Sequence, residues 1–214
     1  MLQECQDNHT IRYDFKGLRL MSKVEQNKEK KRQAILQAAQ DVFLTEGYVL
    51  ASMDSIAAQA QVTKQTIYRY YPSKVELFKA TLQHMGKSSE VSFLDHLQDP
   101  NTKKALRKFA KGFILAHLSK EHLATYRLLV AESGKAPEIT SSFFAVGPDE
   151  TDAKLSKFFA ERLGIKNVET TVQLWTAMLL SHRQSVLIGM KRPSNQQIEK
   201  YAKETTDFLL AAIS

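Results

Sequence analysis

The stretch SMDSIAAQAQVTKQTIYRYYPSKVELF, residues 52–78, places Ser52, Thr63 and Ser73 at intervals of about ten, each just ahead of residues that can coil. A hydroxyl in that position accepts a bond from an amide of the open first turn, so the stretch reads as three helix starts in close succession. Two of the helices are too short to persist alone, since isolated helices under about 12 to 15 residues are marginal in water. The middle one must be held by its neighbours or by something it binds. A chain written this way has to fold as helices packed on helices.

The flanking sequence supplies those neighbours. A first helix is expected from about Lys28 to Glu46, with Ile35, Ala38, Ala39, Val42 and Phe43 on one face and Gly47 as its left-handed stop. Ser52 caps the second helix, with Asp54 in its first turn and Ile56, Ala57 and Ala60 facing inward. Thr63 caps the third, which runs to Tyr70; Ile67 and Tyr71 join Val62 in a small core, and Pro72 ends it. Ser73 to Glu76 reads as a capping box, so a fourth helix through Leu77, Phe78 and Leu82 begins at once and is rigidly coupled to the third.

Beyond Gly86 the helical pattern continues, over about 101–118, 119–133 and 149–164, with 134–148 as the one long connection. A single helix from Val168 to about Gly189 carries two apolar stripes, one through Val172, Trp175, Leu179, His182 and Val186, the other through Leu174, Met178, Ser185 and Ile188. Ser194 to Gln197 boxes a last helix with a seam through Ile198, Tyr201, Thr205, Phe208, Leu209 and Ala212. No stretch alternates as a strand does. The expected fold is all-α: a loose extension at 1–27, a three-helix helix-turn-helix domain at 28–73, and a larger helical domain at 74–214. Met21 precedes better organised sequence, so residues 1–20 also read as an upstream extension of the native start.

Composition limits function. Cys5 is alone, which rules out an internal disulfide and fits a reducing, cytoplasmic setting. No run of about 18 apolar residues crosses a membrane. A formal charge of +7 suits a polyanionic partner, though basic residues are spread along the whole chain. Glycine-rich phosphate loops and nucleophile elbows are absent, and His117 and His122 stand five apart rather than the three or four that stack two ligands on a helix face. The sequence therefore predicts no enzyme, no cofactor and no metal.

In a helix-turn-helix the second helix enters the major groove, where each base pair presents its own donor and acceptor pattern. Here that helix spans Thr63 to Tyr70. Lys64 and Gln65 are the residue types that pair with guanine and adenine edges, while Thr66 and Tyr68 can reach phosphate or a thymine methyl. Lys28, Lys30, Lys31 and Arg32, just before and inside the first helix, would add an arm on phosphates; a solvated basic run is the alternative. The stripe Lys103, Lys104, Arg107, Lys108 and Lys111 reads as a solvated face.

Residues 35–78, through Ala38-Ala39, Phe43, Gly47-Tyr48, Ile56-Ala57, Ala60, Val62, Thr66-Ile67-Tyr68, Tyr70-Tyr71, Lys74 and Leu77, resemble the N-terminal domain of the TetR/AcrR family of transcriptional regulators. The resemblance implies DNA contact by Ser52, Lys64, Gln65, Thr66, Tyr68, Tyr70 and Lys74, with Lys64, Gln65 and Tyr70 nearest the bases and Tyr68 and Lys74 on phosphate. Two residues depart from the family pattern: Gln61 stands where glycine is usual, and Tyr71 where phenylalanine is. A positive φ at Gln61 would cost about 1 kcal/mol, and a buried Tyr71 hydroxyl would need a partner.

YRLLVAESGKAPEITSSFF, residues 126–144, is similar to the AefR-like C-terminal domain of some members. The family implies a homodimer through the last two helices and a small-molecule effector held among the middle ones, for which Phe93, Phe113, His117, Trp175, Met178 and His182 are candidates; each serves equally as ordinary core. The function so implied is a repressor released from a palindromic operator in double-stranded DNA. A helical protein-binding scaffold with a merely structural helix-turn-helix is the alternative.

Overall fold

The computed structural model describes residues 12–13, 19–20, 23–87 and 93–213. Among them the helices are α1 (Lys23–Glu46), α2 (Met53–Gln59), α3 (Lys64–Tyr70), α4 (Lys74–Lys87), a 3₁₀ helix (Phe93–Gln98), α5 (Thr102–His117), α6 (Lys120–Glu132), α7 (Pro137–Val146), α8 (Pro148–Leu163), α9 (Val168–Leu179), α10 (Ser181–Leu187) and α11 (Asn195–Ala212). A two-residue antiparallel ladder, Arg12–Tyr13 against Arg19–Leu20, is the only sheet among the described residues.

The predicted starts hold. Ser52 Oγ accepts from the Ser55 amide, Thr63 Oγ1 from Thr66, Ser73 Oγ from Glu76 and Ser194 Oγ from Gln197, each satisfying an amide that the first turn leaves open. Three expectations fail. First, α1 begins at Lys23, so residues 23–27 are helix; apart from an exposed Val24 they are polar, and no apolar period announces them, yet Glu25 suits a first turn. The remainder of the extension lies largely outside the described residues. Second, the connection at 134–148 contains α7, which Pro137 opens at a position where a missing N–H costs nothing. Third, the helix from Val168 breaks at Leu180. Tyr201 on α11 donates to the Met178 carbonyl (3.0 Å) and pairs with Ser181 Oγ (2.9 Å), so the break exchanges ladder bonds for bonds to a neighbouring helix.

Two apolar cores follow. The first gathers Ile35, Ala39 and Phe43 of α1, Ile56 of α2, Ile67 of α3 and Leu77 and Phe78 of α4, and is completed by Leu128, Leu129 and Ile139 from α6 and α7. A division at residue 73 or 74 would cut through it. Phe43, Tyr48 and Phe78 pack with ring centroids 5.1–5.6 Å apart. The second core holds Phe109, Phe113, Phe159, Trp175 and Ile198 from α5, α8, α9 and α11. The basic stripe of α5 is not simply solvated: Lys103 and Arg107 pair with Asp207 of α11, Lys111 with Glu199, and Lys104 and Lys108 with Asp99. Three cations around Asp207, Arg107 first, hold its carboxyl well below the usual range.

Candidate nucleic-acid interface

Helix α3 is anchored by one face and presents the other. Ile67 is fully buried and Tyr71 nearly so, while Thr63, Lys64, Gln65 and Tyr68 are exposed and Thr66 and Tyr70 are half-buried. Lys64, Gln65 and Tyr68 fall at i, i+1 and i+4, so they share the outer face. The turn before α3 has a left-handed residue, Gln61 at φ 54°, where L side chains are strained; it is the one non-glycine residue with positive φ among those described. The family's usual glycine has a backbone reason at this position.

Lys64 is not idle. Its Nζ donates to Asp54 Oδ2 at 2.7 Å, across from the first turn of α2, and that hydrogen bond raises its pKa. Asp54 therefore holds the lysine in the helix-turn-helix frame before any polyanion arrives. Thr66 Oγ1 and Thr63 Oγ1 lie 2.9 Å apart, and Ser52 Oγ is engaged with Ser55. The Tyr70 hydroxyl reaches the Lys28 carbonyl at 3.5 Å.

Lys74 sits differently from its implied role on phosphate. Its Nζ donates to the carbonyls of Tyr48 (2.8 Å), Ala51 (3.0 Å) and Val49 (3.3 Å) and lies 4.6 Å from the centroid of the Tyr48 ring. An ammonium spent on three carbonyls clamps the α1–α2 turn and has little left for a phosphate. The basic run also differs from a preceding arm, since Lys28, Lys30, Lys31 and Arg32 are all within α1. Arg32 is held by Glu29 at 2.8 and 2.9 Å. That contact, with Gln33, keeps Glu29 down at a pKa of about 2.

The same turn is read from the other half of the molecule. Val49 N donates to Glu132 Oε2 at 2.9 Å, and Gly47, at φ 83°, leaves room for that carboxylate; a Cβ there would collide with Glu132 Oε1. Burial, and then the Glu138 carboxylate, push the Tyr48 pKa up to about 12. Sequence reasoning placed Asp54 only in the first turn of α2 and missed its pairing with Lys64, the bond from the Val49 amide to Glu132 and the exposed Arg69 of α3, because spacing does not tell which distant groups meet.

Residues 35–81 match the model described as bacterial regulatory proteins, tetR family, and residues 104–212, about half of the chain, match the AefR-like transcriptional repressor, C-terminal domain. The chain belongs to the TetR family. Curated relatives include the HTH-type transcriptional activator FasR of Mycolicibacterium smegmatis, 43% identical over 56 residues (26% of each chain), and the DNA-binding transcriptional repressor TetR of Mycobacteroides abscessus, 41% identical over 71 residues (33% of this chain, 35% of that one). The matched region thus spans about a quarter to a third of those relatives. Among solved structures, the flavonoid-responsive regulator FrrA superposes with a TM-score of 0.72 at 25% identity, covering 86% of this chain and 97% of that one. A TetR-family regulator from Mesorhizobium loti gives 0.71 at 22%, covering 86% and 96%. No helix among the described residues is long and apolar enough to cross a membrane.

The candidate effector residues fall in separate groups. Phe93, Phe113 and His117 meet, with Phe113 and His117 centroids 4.0 Å apart. Trp175 is fully buried between Phe109 and Phe159, at 5.6 Å from each. His182 packs edge-on to Tyr201 at 4.6 Å, next to the helix break whose Met178 carbonyl Tyr201 holds.

Proposed function

We propose that the protein is a cytoplasmic transcriptional repressor that binds a palindromic operator as a homodimer and is released by a small molecule. The outward face of α3 carries the reading: Lys64, Gln65 and Tyr68 stand in solvent on a helix fixed by Thr63 at one end and by buried Ile67 beneath. Thr63, Thr66 and Tyr70 flank that face, Ser52 lies at the start of α2 for a backbone contact, and Lys74 acts by fixing the turn. Leu174, Ile188 and Phe208, on α9, beyond α10 and on α11, are 64–75% exposed, which supports pairing of two copies through the end of the chain. The relatives named as repressors and the AefR-like repressor match support repression, and the flavonoid responsiveness of FrrA supports a small-molecule signal.

Release would work through α4 and α6. Helix α4 follows α3 with only Tyr71, Pro72 and Ser73 between them, and α6 reaches the α1–α2 turn through Glu132. To invert a population from 1:99 to 99:1, the effector must prefer the released form by about 5.5 kcal/mol. Selection of bound duplexes from a random pool should return inverted half-sites about 34 to 36 Å apart. Lys64→Ala should weaken binding to that site by roughly tenfold to a hundredfold, with little effect on random duplex. Equal loss on every sequence would make Lys64 a phosphate contact, and a pool that yields no enriched duplex would favour the scaffold reading.

A further inference from the structure

Where α5 passes into α6, rings from three helices converge: His117 and His122 (4.4 Å between centroids), Phe143 of α7 (6.0 Å from His122) and Tyr126 (6.3 Å from Phe143). Arg183 of α10 lays its guanidinium 3.9 Å from the centroid of Tyr126. His117 Nδ1 is satisfied by the Phe113 carbonyl at 2.8 Å. Three other polar atoms here are not: His122 Nε2, Arg183 Nε and Thr140 Oγ1, the last one turn before Phe143 on α7, are buried without a hydrogen-bond partner. No described carboxylate pairs with Arg183, and burial together with Arg183 keeps both imidazoles neutral.

A half-buried guanidinium with no counter-ion, beside two rings that cannot take up charge, is costly as it stands. The missing element is one negative charge presented in a plane, since guanidinium matches a carboxylate by its fork geometry. A free phosphate is a poorer fit: it would bring up to two charges to a single cation and no surface for the aromatic walls. We infer that Arg183, with His122 and Thr140, forms the anion pole of the effector site, and that the effector class is a small aromatic carboxylate whose ring lies against Tyr126 and Phe143.

The inference rests on the proposed release by a small molecule and locates it. His122 and Tyr126 stand on the first half of α6, and Glu132, at the end of the same helix, bonds the Val49 amide in the α1–α2 turn. A carboxylate drawn to Arg183 would reset α6 against α10, and the turn that positions α2 and α3 would feel it.

Calorimetry on the full-length protein without DNA, with benzoate, benzamide and inorganic phosphate as probes, tests the site. Benzoate should bind at least about tenfold more tightly than its uncharged amide or phosphate. Arg183→Gln should remove that preference and leave benzamide unchanged, Arg183→Lys should keep part of it, and thermal melts should show both variants folded. No benzoate binding at millimolar concentration, equal binding of the amide, tighter phosphate, or an Arg183→Gln protein that still prefers benzoate would each overturn the inference. Operator binding on the same samples separates the two claims. Benzoate bound through Arg183 without operator release keeps the site and removes the release mechanism, whereas operator binding with no benzoate site overturns the inference and leaves the DNA-binding reading standing.

Discussion

Gln61 and Tyr71 are two places where this chain differs from its family, and each leaves a local cost in the fold. Gln61 holds φ 54° without glycine's freedom. Tyr71 buries a hydroxyl with no hydrogen-bond partner; Arg32 is the charged group beside it, and burial pushes the phenol pKa up. Removing an unsatisfied polar atom while keeping the ring should stabilise, so Tyr71→Phe is expected to raise unfolding free energy by about 1 kcal/mol in urea titration. A loss of stability would mean that the hydroxyl has a partner in solution. His117 and His122 set a pH dependence of definite sign. Burial lowers their pKa values to about 3 and about 4, against roughly 6.5 in the unfolded chain. The unfolded state therefore binds protons that the folded state refuses, and stability, complete above about pH 6.5, falls as pH drops toward 4. Each histidine should contribute a slope of up to about 1.4 kcal/mol per pH unit in that window. Urea midpoints of His122→Asn against the parent between pH 7 and 5 measure one share; parallel curves would place His122 in solvent.

The element that joins the two halves is the α1–α2 turn, which receives Lys74 from α4, Glu132 from α6 and the charge of Glu138 from α7. Gly47→Ala should destabilise by about 1 to 2 kcal/mol, since a Cβ at φ 83° is strained and also drives Glu132 from the Val49 amide. Glu132→Ala removes the bond without the strain. It should leave operator affinity within a fewfold while reducing the ratio of affinities with and without effector; an unchanged ratio would show that α6 does not carry the signal. How far such elements can be read from sequence depends on whether their cause is local. Ser52, Thr63 and Ser194 cap the next amides in the chain, so the starts of α2, α3 and α11 were legible. The set Lys64, Gln65 and Tyr68 comes from residue type and from the resemblance, and all three are exposed on α3. Helix α7 was hidden because Gly134, Pro137, Gly147 and Pro148 punctuate it as they would a loop, while its reason to exist, Ile139 in the core beneath α4, is tertiary. The break at Leu180 was hidden likewise, since Tyr201 that secures it comes 21 residues later. Lys74 was assigned to phosphate by resemblance, and only the fold reveals three carbonyls around it.

At the scale of the whole molecule, the proposed operator binding calls for two copies. Seven residues of α3 extend roughly 10 Å, enough to face only a few base pairs, so discrimination of one site in a genome requires a second α3 at a fixed distance. The chain end offers what could fix it. Val172, Trp175 and Leu179 use one face of α9 for the second core, leaving Leu174 65% exposed, and α11 likewise buries Ile198, Ala202 and Leu209 while Phe208 remains 64% exposed. Charged residues at these two positions should not disturb the monomer, whose core lies on the opposite faces, but would bring four like charges into a paired interface. Leu174→Asp with Phe208→Asp is therefore expected to sediment as a monomer while keeping the parent's helix content by circular dichroism. Once the copies separate, each half-site is bound alone, and operator affinity should drop by about a hundredfold or more because the second contact is no longer intramolecular. Binding to an isolated half-site should be unchanged. A variant that still sediments as a dimer would move the interface to another face, and a monomer that keeps full operator affinity would show that pairing of α3 helices does not set the span.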